Sequence, residues 1–243
     1  MRTLRALARL LRAVLHLLHG LAIVLLRFDR LDAAQRHARI RWWAAKMLRL
    51  LGVRLEVEGA PHEGAVLLAA NHISWLDILV IHAACPQARF VSKADVKHWP
   101  LISRLVAAAG TLFIERERKR DAMRVVHQMA GALQRGETVA VFPEGTTGDG
   151  RALLPFHANL LQAAIATGVP VQPVALRFSE PAHPVSQAAA YIGDTTLAQS
   201  VWWIASADRL TARAALLPPL APQQHDRRAL AEHLRERIAA RLV

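Results

Sequence analysis

The sequence predicts an α/β fold in which helices cover a mixed, largely parallel β-sheet. From residue 53 onward, short apolar runs alternate with longer stretches of helical periodicity, as in chains that build such a sheet. Several of the short runs are almost entirely apolar, which is expected of strands covered on both faces. A chain of 243 residues is long enough for one domain of this kind with a short appendage.

The elements follow from these runs in chain order. Strands are predicted over 54–58, 66–70, 90–92, 111–114, 138–142 and 171–176. Helices are predicted over 75–84, 101–109, 118–134 and 153–166, and a last structural helix over 226–243. Gly52 is expected to end an earlier helix, so we divide the chain into N-terminal helices at 1–51 and a main domain at 52–243.

The N-terminal segment combines a basic stripe with a leucine-rich surface. Its cations recur every three or four residues, on one side of a helix: Arg2, Arg5, Arg9, Arg12, His16 and His19. This pattern is typical of a helix that lies in a lipid interface. The uncharged run 13–26 has fourteen residues, fewer than the ~20 that a spanning helix needs, so we expect an interfacial helix and not a span. A signal peptide is disfavoured because the charged segment 27–30 stands where a small-residue cleavage site belongs.

The segment 33–51 is a second basic amphipathic stretch, and it carries Trp42 and Trp43. It suits either a membrane surface or a helix that packs on the main domain, and the sequence leaves both open. The net charge of +12 attracts polyanions, either nucleic acid or an anionic membrane. Because the charge lies beside leucine-rich stripes and the chain has one tyrosine, we favour the anionic membrane and expect no nucleic-acid partner. The single cysteine, Cys85, excludes an internal disulfide and is expected to be a small buried residue near a helix end.

A histidine and an aspartate frame the turn after the second predicted strand. His72 and Asp77 are five residues apart, so on one regular helix they would face different ways. If His72 lies in the turn before the helix, Asp77 can reach back, fix the imidazole tautomer and leave the other nitrogen free to take a proton. The sequence has no Gly-x-Ser-x-Gly, His-Glu-x-x-His or Walker motif, so this pair would act on a substrate hydroxyl directly. Ser74 is read as a helix cap.

Two further strand ends carry polar residues. Gly110–Arg116 ends in a charged pair, at a position where anionic ligands bind in α/β sheets. The segment Phe142–Gly150 follows another strand. Its glycines permit close backbone approach, and its amides and threonine hydroxyls can hold phosphate or carbonyl oxygens. An ordinary glycine turn without a ligand would have the same pattern.

These pieces, in this order, resemble the lysophospholipid acyltransferase family. Its Asn-His-x4-Asp pattern matches Asn71, His72 and Asp77, and its Phe-Pro-Glu-Gly-Thr block matches 142–146. Its Gly-x-x-Phe-Ile-Asp-Arg block matches 110–116 with one change, and Val-Pro-x-x-Pro-Val matches 169–174. The resemblance covers about half of the chain, from 53 to 178, and implies a glycerophosphate acyltransferase-like fold.

The resemblance implies transfer of a fatty acyl group from acyl-CoA or acyl carrier protein to the hydroxyl of a lysolipid, without metal or cofactor. The acceptor would be 1-acylglycerol-3-phosphate, giving phosphatidic acid, at the cytoplasmic face of the inner membrane. His72 would be the general base and Asp77 would orient it. The implied substrate-binding residues are Asn71, Lys93, Arg116, Glu144, Gly145, Thr146, Thr147 and Arg151.

Three departures bear on the acceptor. Glu115 replaces the family's aspartate, His157 stands where many members have lysine, and Thr147 replaces the arginine that follows Glu-Gly-Thr. Losing a forked cation from a phosphate site is not conservative, although Arg151 is close enough in sequence to substitute. The Thr-Thr-x-Asp-Gly form resembles the lyso-ornithine-lipid acyltransferase branch, which is the alternative acceptor class. A basic nucleic-acid-binding module and a catalytically silent lipid-binding protein are the alternatives from other classes.

Overall fold

The computed structural model describes residues 2–93, 102–114, 119–224 and 226–242. The described residues form seven strands: β1 (Arg54–Glu58), β2 (Val66–Ala70), β3 (Arg89–Lys93), β4 (Leu112–Ile114), β5 (Thr138–Val141), β6 (Val171–Ser179) and β7 (Thr211–Leu216). They pair into one sheet in the order β1-β7-β6-β2-β5-β3-β4. Only the β6–β7 pair is antiparallel among these described strands, so the predicted mixed, largely parallel sheet is confirmed.

Eight α-helices are described along the same residues: α1 (Arg2–Leu26), α2 (Ala33–Leu51), α3 (Leu76–Ala84), α4 (Ile102–Ala108), α5 (Lys119–Gln134), α6 (Gln162–Thr167), α7 (Leu197–Ser206) and α8 (Arg227–Leu242). Side chains of α2, α3 and α7 share a buried cluster with one face of the sheet, and those of α5, α6 and α8 share another with the opposite face.

The central strand β2 has apolar side chains on both faces of the sheet, and each face is covered by helices. Leu68 and Ala70 belong to the first cluster and Leu67 and Ala69 to the second, as the two-residue period of a strand requires. All five of its residues are buried. Its carboxyl end therefore opens between two helical layers, near the middle of the sheet.

Two elements were missed and one was misassigned. The sequence analysis did not predict β7 or α7; β7 reads Thr-Ala-Arg-Ala-Ala-Leu, and alanine is a poor indicator of strands. The predicted helix 153–166 is wrong over its first half, because residues 153–157 form no helix and regular structure begins with a 3₁₀ turn at Ala158–Leu161. Pro155 explains this difference, since proline disfavours helical backbone at the residue before it.

Two titratable side chains of α3 are buried in its core face. His82 is 6% exposed and meets the Phe90 ring edge-on, and burial lowers the pKa of its imidazole to about 4. Cys85 is fully buried where α3 ends, as predicted, and burial raises the pKa of its thiol to about 12. Both side chains are therefore uncharged near neutral pH.

Two arginines from the basic stripe of helix α1 contact the protein. The guanidinium of Arg9 donates to the carbonyl oxygens of Ala205 and Ala207 at 2.9 and 3.1 Å, and Arg2 donates to that of Ser206 at 2.8 Å. These carbonyls lie at the carboxyl end of α7, where a helix carries partial negative charge. Arg2 and Arg9 are thus bonded to α7, whereas Arg12 of the same stripe is exposed.

The leucine-rich surface of α1 is exposed. Its exposed fractions are 72% for Leu4, 63% for Leu11 and 57% for Leu15. By length and composition α1 could cross a membrane, and it is the one helix among the described residues of which this holds. That α1 lies in the interface and does not span stays a prediction.

Helix α2 packs on the main domain, which decides between the two alternatives for 33–51. A capping box of Asp32 and Gln35 starts it, and Met47 and Leu48 are buried in the first cluster. Trp43 joins α2 to α1 through reciprocal hydrogen bonds: its indole donates to the carbonyl of His16 at 3.2 Å, and His16 Nε2 meets its carbonyl at 3.1 Å.

Replacing Gly20 by alanine should loosen α1. A Cβ at position 20 would lie 2.2 Å from Trp43 Nε1, so the indole or the whole helix must shift. We expect a loss of about 1–3 kcal/mol in the free energy of unfolding and faster proteolysis within α1. Gly131→Ala on α5 is the control, because its nearest neighbour is the flexible end of Arg135 at 3.4 Å. Equal stability of the two variants would contradict this packing.

Candidate active site

The predicted His72–Asp77 contact is present. His72 lies in the turn between β2 and α3, and Asp77 is the second residue of α3. Asp77 Oδ2 meets His72 Nδ1 at 2.8 Å and accepts the backbone N–H groups of Ile73 at 2.7 Å and Ser74 at 2.9 Å. Because that oxygen accepts, we assign the proton to Nδ1, which leaves Nε2 with a lone pair.

The turn itself is held from the other side by Glu144. The backbone N–H of His72 donates to Glu144 Oε1 at 2.7 Å, and that of Leu154 donates to Oε2 at 2.9 Å. The backbone N–H of Gly148 donates to the carbonyl of His72 at 2.8 Å. Burial raises the pKa of Glu144, which is 4% exposed. Glu144 thus shapes the site by fixing two backbone segments.

Phe142 completes the surroundings of the imidazole. Its ring stacks on that of His72 with centroids 3.9 Å apart and planes 9° from parallel. The side chain of His72 remains 19% exposed, whereas that of Asp77 is fully buried. The ring is therefore fixed on one face and at Nδ1, yet reachable from solvent. The sequence placed Phe142 in a candidate segment but gave its ring no role, although its position directly after β5 was the available signal.

Asn71 is hydrogen-bonded within the protein, and its predicted contact with substrate stays a prediction. It is 1% exposed, its amide nitrogen donates to the carbonyl of Leu176 at 2.9 Å, and its oxygen accepts the N–H of the same residue at 2.7 Å. The side chain thereby joins the end of β2 to β6.

The hydroxyl of Thr147 is also hydrogen-bonded within the protein. Its Oγ1 donates to the carbonyl of Tyr191, and the N–H of Tyr191 donates to the carbonyl of Ile73 at 3.0 Å. The residue that replaces the family's arginine therefore links two loops beside His72. Tyr191 was not considered in the sequence analysis, and nothing in its own sequence context signals this contact.

The remaining predicted residues divide into those near the turn and those without a described side chain. Gly145 and Thr146 are exposed, and a Cβ at position 145 would lie 2.8 Å from the ring of His157, which places His157 beside the loop. Arg151 is exposed, and its backbone N–H donates to the Asp149 carboxylate at 2.9 Å.

Two predicted cations cannot be placed in the site. Lys93 ends β3, and its side chain is not among those described; Arg116 lies outside the described residues. The reading of Ser74 as a helix cap is wrong: its hydroxyl is buried without a partner, and the residue before α3 is Trp75, which makes no side-chain capping bond.

A surface concavity lies elsewhere on the described residues. A surface groove of about 650 Å³ runs between Leu112 of β4 and the α5 residues Met123 to Arg135. It contains none of the predicted site residues whose side chains are described. Within the described ranges, no group of three or more histidine, cysteine, aspartate or glutamate side chains could hold a metal ion.

Comparison of the sequence with known proteins identifies the family. A protein-family model described as Acyltransferase covers residues 53–177. The chain is 37% identical over 223 residues to a lyso-ornithine lipid O-acyltransferase of Pseudomonas aeruginosa, covering 90% of this chain and 85% of that protein. It is 38% identical over 198 residues to a 1-acyl-sn-glycerol-3-phosphate acyltransferase of Neisseria meningitidis, covering 80% of this chain and 76% of that protein.

A solved structure supports the fold. The 1-acyl-sn-glycerophosphate acyltransferase of Thermotoga maritima superposes with a TM-score of 0.76 over 100% of this chain and 96% of that chain, at 21% sequence identity. The predicted glycerophosphate acyltransferase-like fold is thus confirmed. With half of the chain matched by the family model and most of it aligned to two curated relatives, this chain belongs to the acyltransferase family and is an O-acyltransferase.

Proposed function

We propose that the chain transfers a fatty acyl group from a thioester to the hydroxyl of a lysolipid, with His72 as general base. Nε2 takes the hydroxyl proton while the oxygen attacks the thioester carbonyl carbon. The carbon–sulfur bond then breaks, and the proton passes from the imidazolium to the departing thiolate. The products are the acylated lipid and a free thiol, and the imidazole is regenerated.

The observation that carries this proposal is the imidazole fixed at Nδ1 and open at Nε2. Asp77 holds the tautomer in which Nε2 is basic, and the buried carboxylate stabilises the imidazolium that forms. A thiolate leaves more readily than an alkoxide because thiols are the stronger acids, so a single proton carrier suffices.

For the acceptor we propose 1-acylglycerol-3-phosphate, giving phosphatidic acid. The Neisseria relative bears that substrate in its name, and Arg151 is exposed in the loop that Glu144 fixes. A lyso-ornithine lipid is the second candidate. It is favoured by the Pseudomonas relative's name and by Thr147, whose hydroxyl is bonded to Tyr191 where the family commonly has a phosphate-binding arginine.

We further propose that the enzyme works at the cytoplasmic face of the inner membrane on acyl-CoA or acyl carrier protein. The exposed leucines of α1 supply an apolar surface for lipid. Arg12, Arg27 and Arg30 are exposed along the same part of the chain and suit anionic head groups. These features support attachment to an anionic membrane surface.

His72→Ala should abolish transfer while the protein stays folded. Removing a general base costs about a hundredfold to ten-thousandfold in rate, and kcat should fall more than KM rises. Thioester consumption by purified protein with lysophosphatidate measures this, and circular dichroism monitors the fold. His183→Ala, an exposed histidine in the loop after β6, is the control. Near-parental turnover by folded His72→Ala would exclude the mechanism.

Phe142→Leu should slow turnover without preventing binding. A ring stacked on an imidazole stabilises its cationic form, so we expect kcat to fall about twofold to thirtyfold with little change in KM. Phe142→Tyr should keep the stack and the rate. Phe90→Leu is the matched core truncation, because Phe90 stacks on Phe142 at 5.6 Å. A rate loss that is equal in Phe142→Leu and Phe90→Leu would assign Phe142 a packing role only.

The acceptor is tested by competition. We expect a mixture of lysophosphatidate and lyso-ornithine lipid, offered with a labelled thioester, to yield mainly phosphatidic acid by mass spectrometry. Arg151→Ala should raise KM for lysophosphatidate about tenfold or more, since charge-assisted hydrogen bonds to phosphate are strong. Arg54→Ala at the far edge strand is the control. Preferential acylation of the ornithine lipid would replace the first acceptor by the second.

A further inference from the structure

Helix α7 is attached to the turn that carries the catalytic residues. The indole N–H of Trp75, the residue before α3, donates to Ser200 Oγ at 3.1 Å. The chain leading into α7 is bonded to the same turn through Tyr191 and Ile73. A capping box of Thr196 and Gln199 then starts α7, so its amino-terminal half is fixed relative to His72.

The other end of α7 is attached to α1. The carbonyls of Ala205, Ser206 and Ala207 accept hydrogen bonds from Arg2 and Arg9, and the two helices pack against each other. Helix α7 therefore joins the N-terminal helix to the catalytic turn. Whatever surface α7 presents to its surroundings has a fixed position relative to both.

That surface is apolar and aromatic. Trp202 and Trp203 are 37% and 42% exposed on the outer side of α7, and Ile192 is 39% exposed just before it. We name these three residues the tryptophan face. Single exposed apolar side chains are ordinary on a protein surface. Two adjacent, partly exposed tryptophans beside a helix with exposed leucines form a larger apolar area than a single exposed side chain does.

The chemistry of this area fits a lipid surface better than a second protein. Tryptophan concentrates at membrane interfaces, where its ring meets the acyl chains and its N–H meets water. The neighbouring α1 leucines are aliphatic and extend over several turns. Arg12 is exposed on α1 and complements anionic head groups, and Arg209 follows α7, where it is paired with Asp208.

We propose that the tryptophan face is a second membrane contact, which with α1 sets the tilt of the enzyme and places the catalytic turn against the bilayer surface. This inference rests on the proposed function, because it assumes a substrate drawn from lipid. One contact along α1 would leave the domain free to roll about that helix. A second contact on α7 removes this freedom, and α7 is bonded to the His72 turn.

The test uses the full-length protein and sucrose-loaded vesicles of phosphatidylethanolamine and phosphatidylglycerol. We expect Trp202→Ser combined with Trp203→Ser to lower vesicle binding about tenfold or more, since interfacial binding scales with buried apolar area. Transfer to vesicle-borne lysolipid should fall in parallel. Transfer to a short-chain lysolipid below its micelle concentration should change less than about twofold. Met123→Ser is the matched control, because Met123 is 66% exposed on α5, in the opposite helical layer.

A second measurement covers the case in which the serine pair unfolds. Brominated phospholipids should quench part of the parent's tryptophan fluorescence, and the conservative pair Trp202→Phe, Trp203→Phe should remove that quenched part. Unchanged vesicle binding by the folded serine pair, or equal quenching in parent and phenylalanine pair, would overturn the second contact. Conversion of a dimer to a monomer with vesicle binding intact would also overturn it and make the face a subunit interface.

The two proposals fail differently. A parent protein that acylates lysolipids while the serine pair binds vesicles normally refutes the second contact and leaves the proposed function standing. A parent protein that transfers no acyl group to any lysolipid refutes the proposed function itself.

Discussion

The site depends on one buried carboxylate oxygen. Oδ2 of Asp77 accepts from the His72 ring and from two successive backbone N–H groups, so one atom sets the ring orientation, the tautomer and the path of the turn. Hydrogen bonds to a charged acceptor contribute about 1.5–3 kcal/mol each, and burial of that acceptor makes their loss costly. Since Asp77 is also in the first turn of α3, the partial positive charge of the helix start favours it there. The orientation of the His72 ring and the local fold thus have the same cause.

The segment that follows β5 serves the same turn from the opposite side. Phe142 covers the ring face, Glu144 accepts from the His72 backbone, and Gly148 donates to it. Most of the described contacts of this segment are therefore made to His72 and its turn. Parallel neighbours in the sheet make this possible, because β2 and β5 pair directly and their carboxyl ends meet at one edge.

Periodicity and motif order predicted the sheet, the helical layers and the His72–Asp77 contact, because those depend on patterns local in sequence. The same reasoning did not predict that polar atoms of Asn71 and Thr147 are bonded to Leu176 and Tyr191. Those partners are far away in the chain, so no local pattern could distinguish a ligand contact from a structural bond. The partners of Arg2 and Arg9 were not predicted for the same reason, since the carbonyls they bind lie at the end of the unpredicted α7. Spacing identified their common helix face but not what that face meets.

The lone thiol has a practical consequence for work on this enzyme. Cys85 is fully buried and its pKa is about 12, so almost none of it is present as the reactive thiolate at neutral pH. A cysteine introduced on the surface would then be the only group that a maleimide dye or a nitroxide label modifies. Spectroscopic probes can be attached at chosen positions in the otherwise native sequence, and distances or depths within a bilayer measured without first removing the natural cysteine.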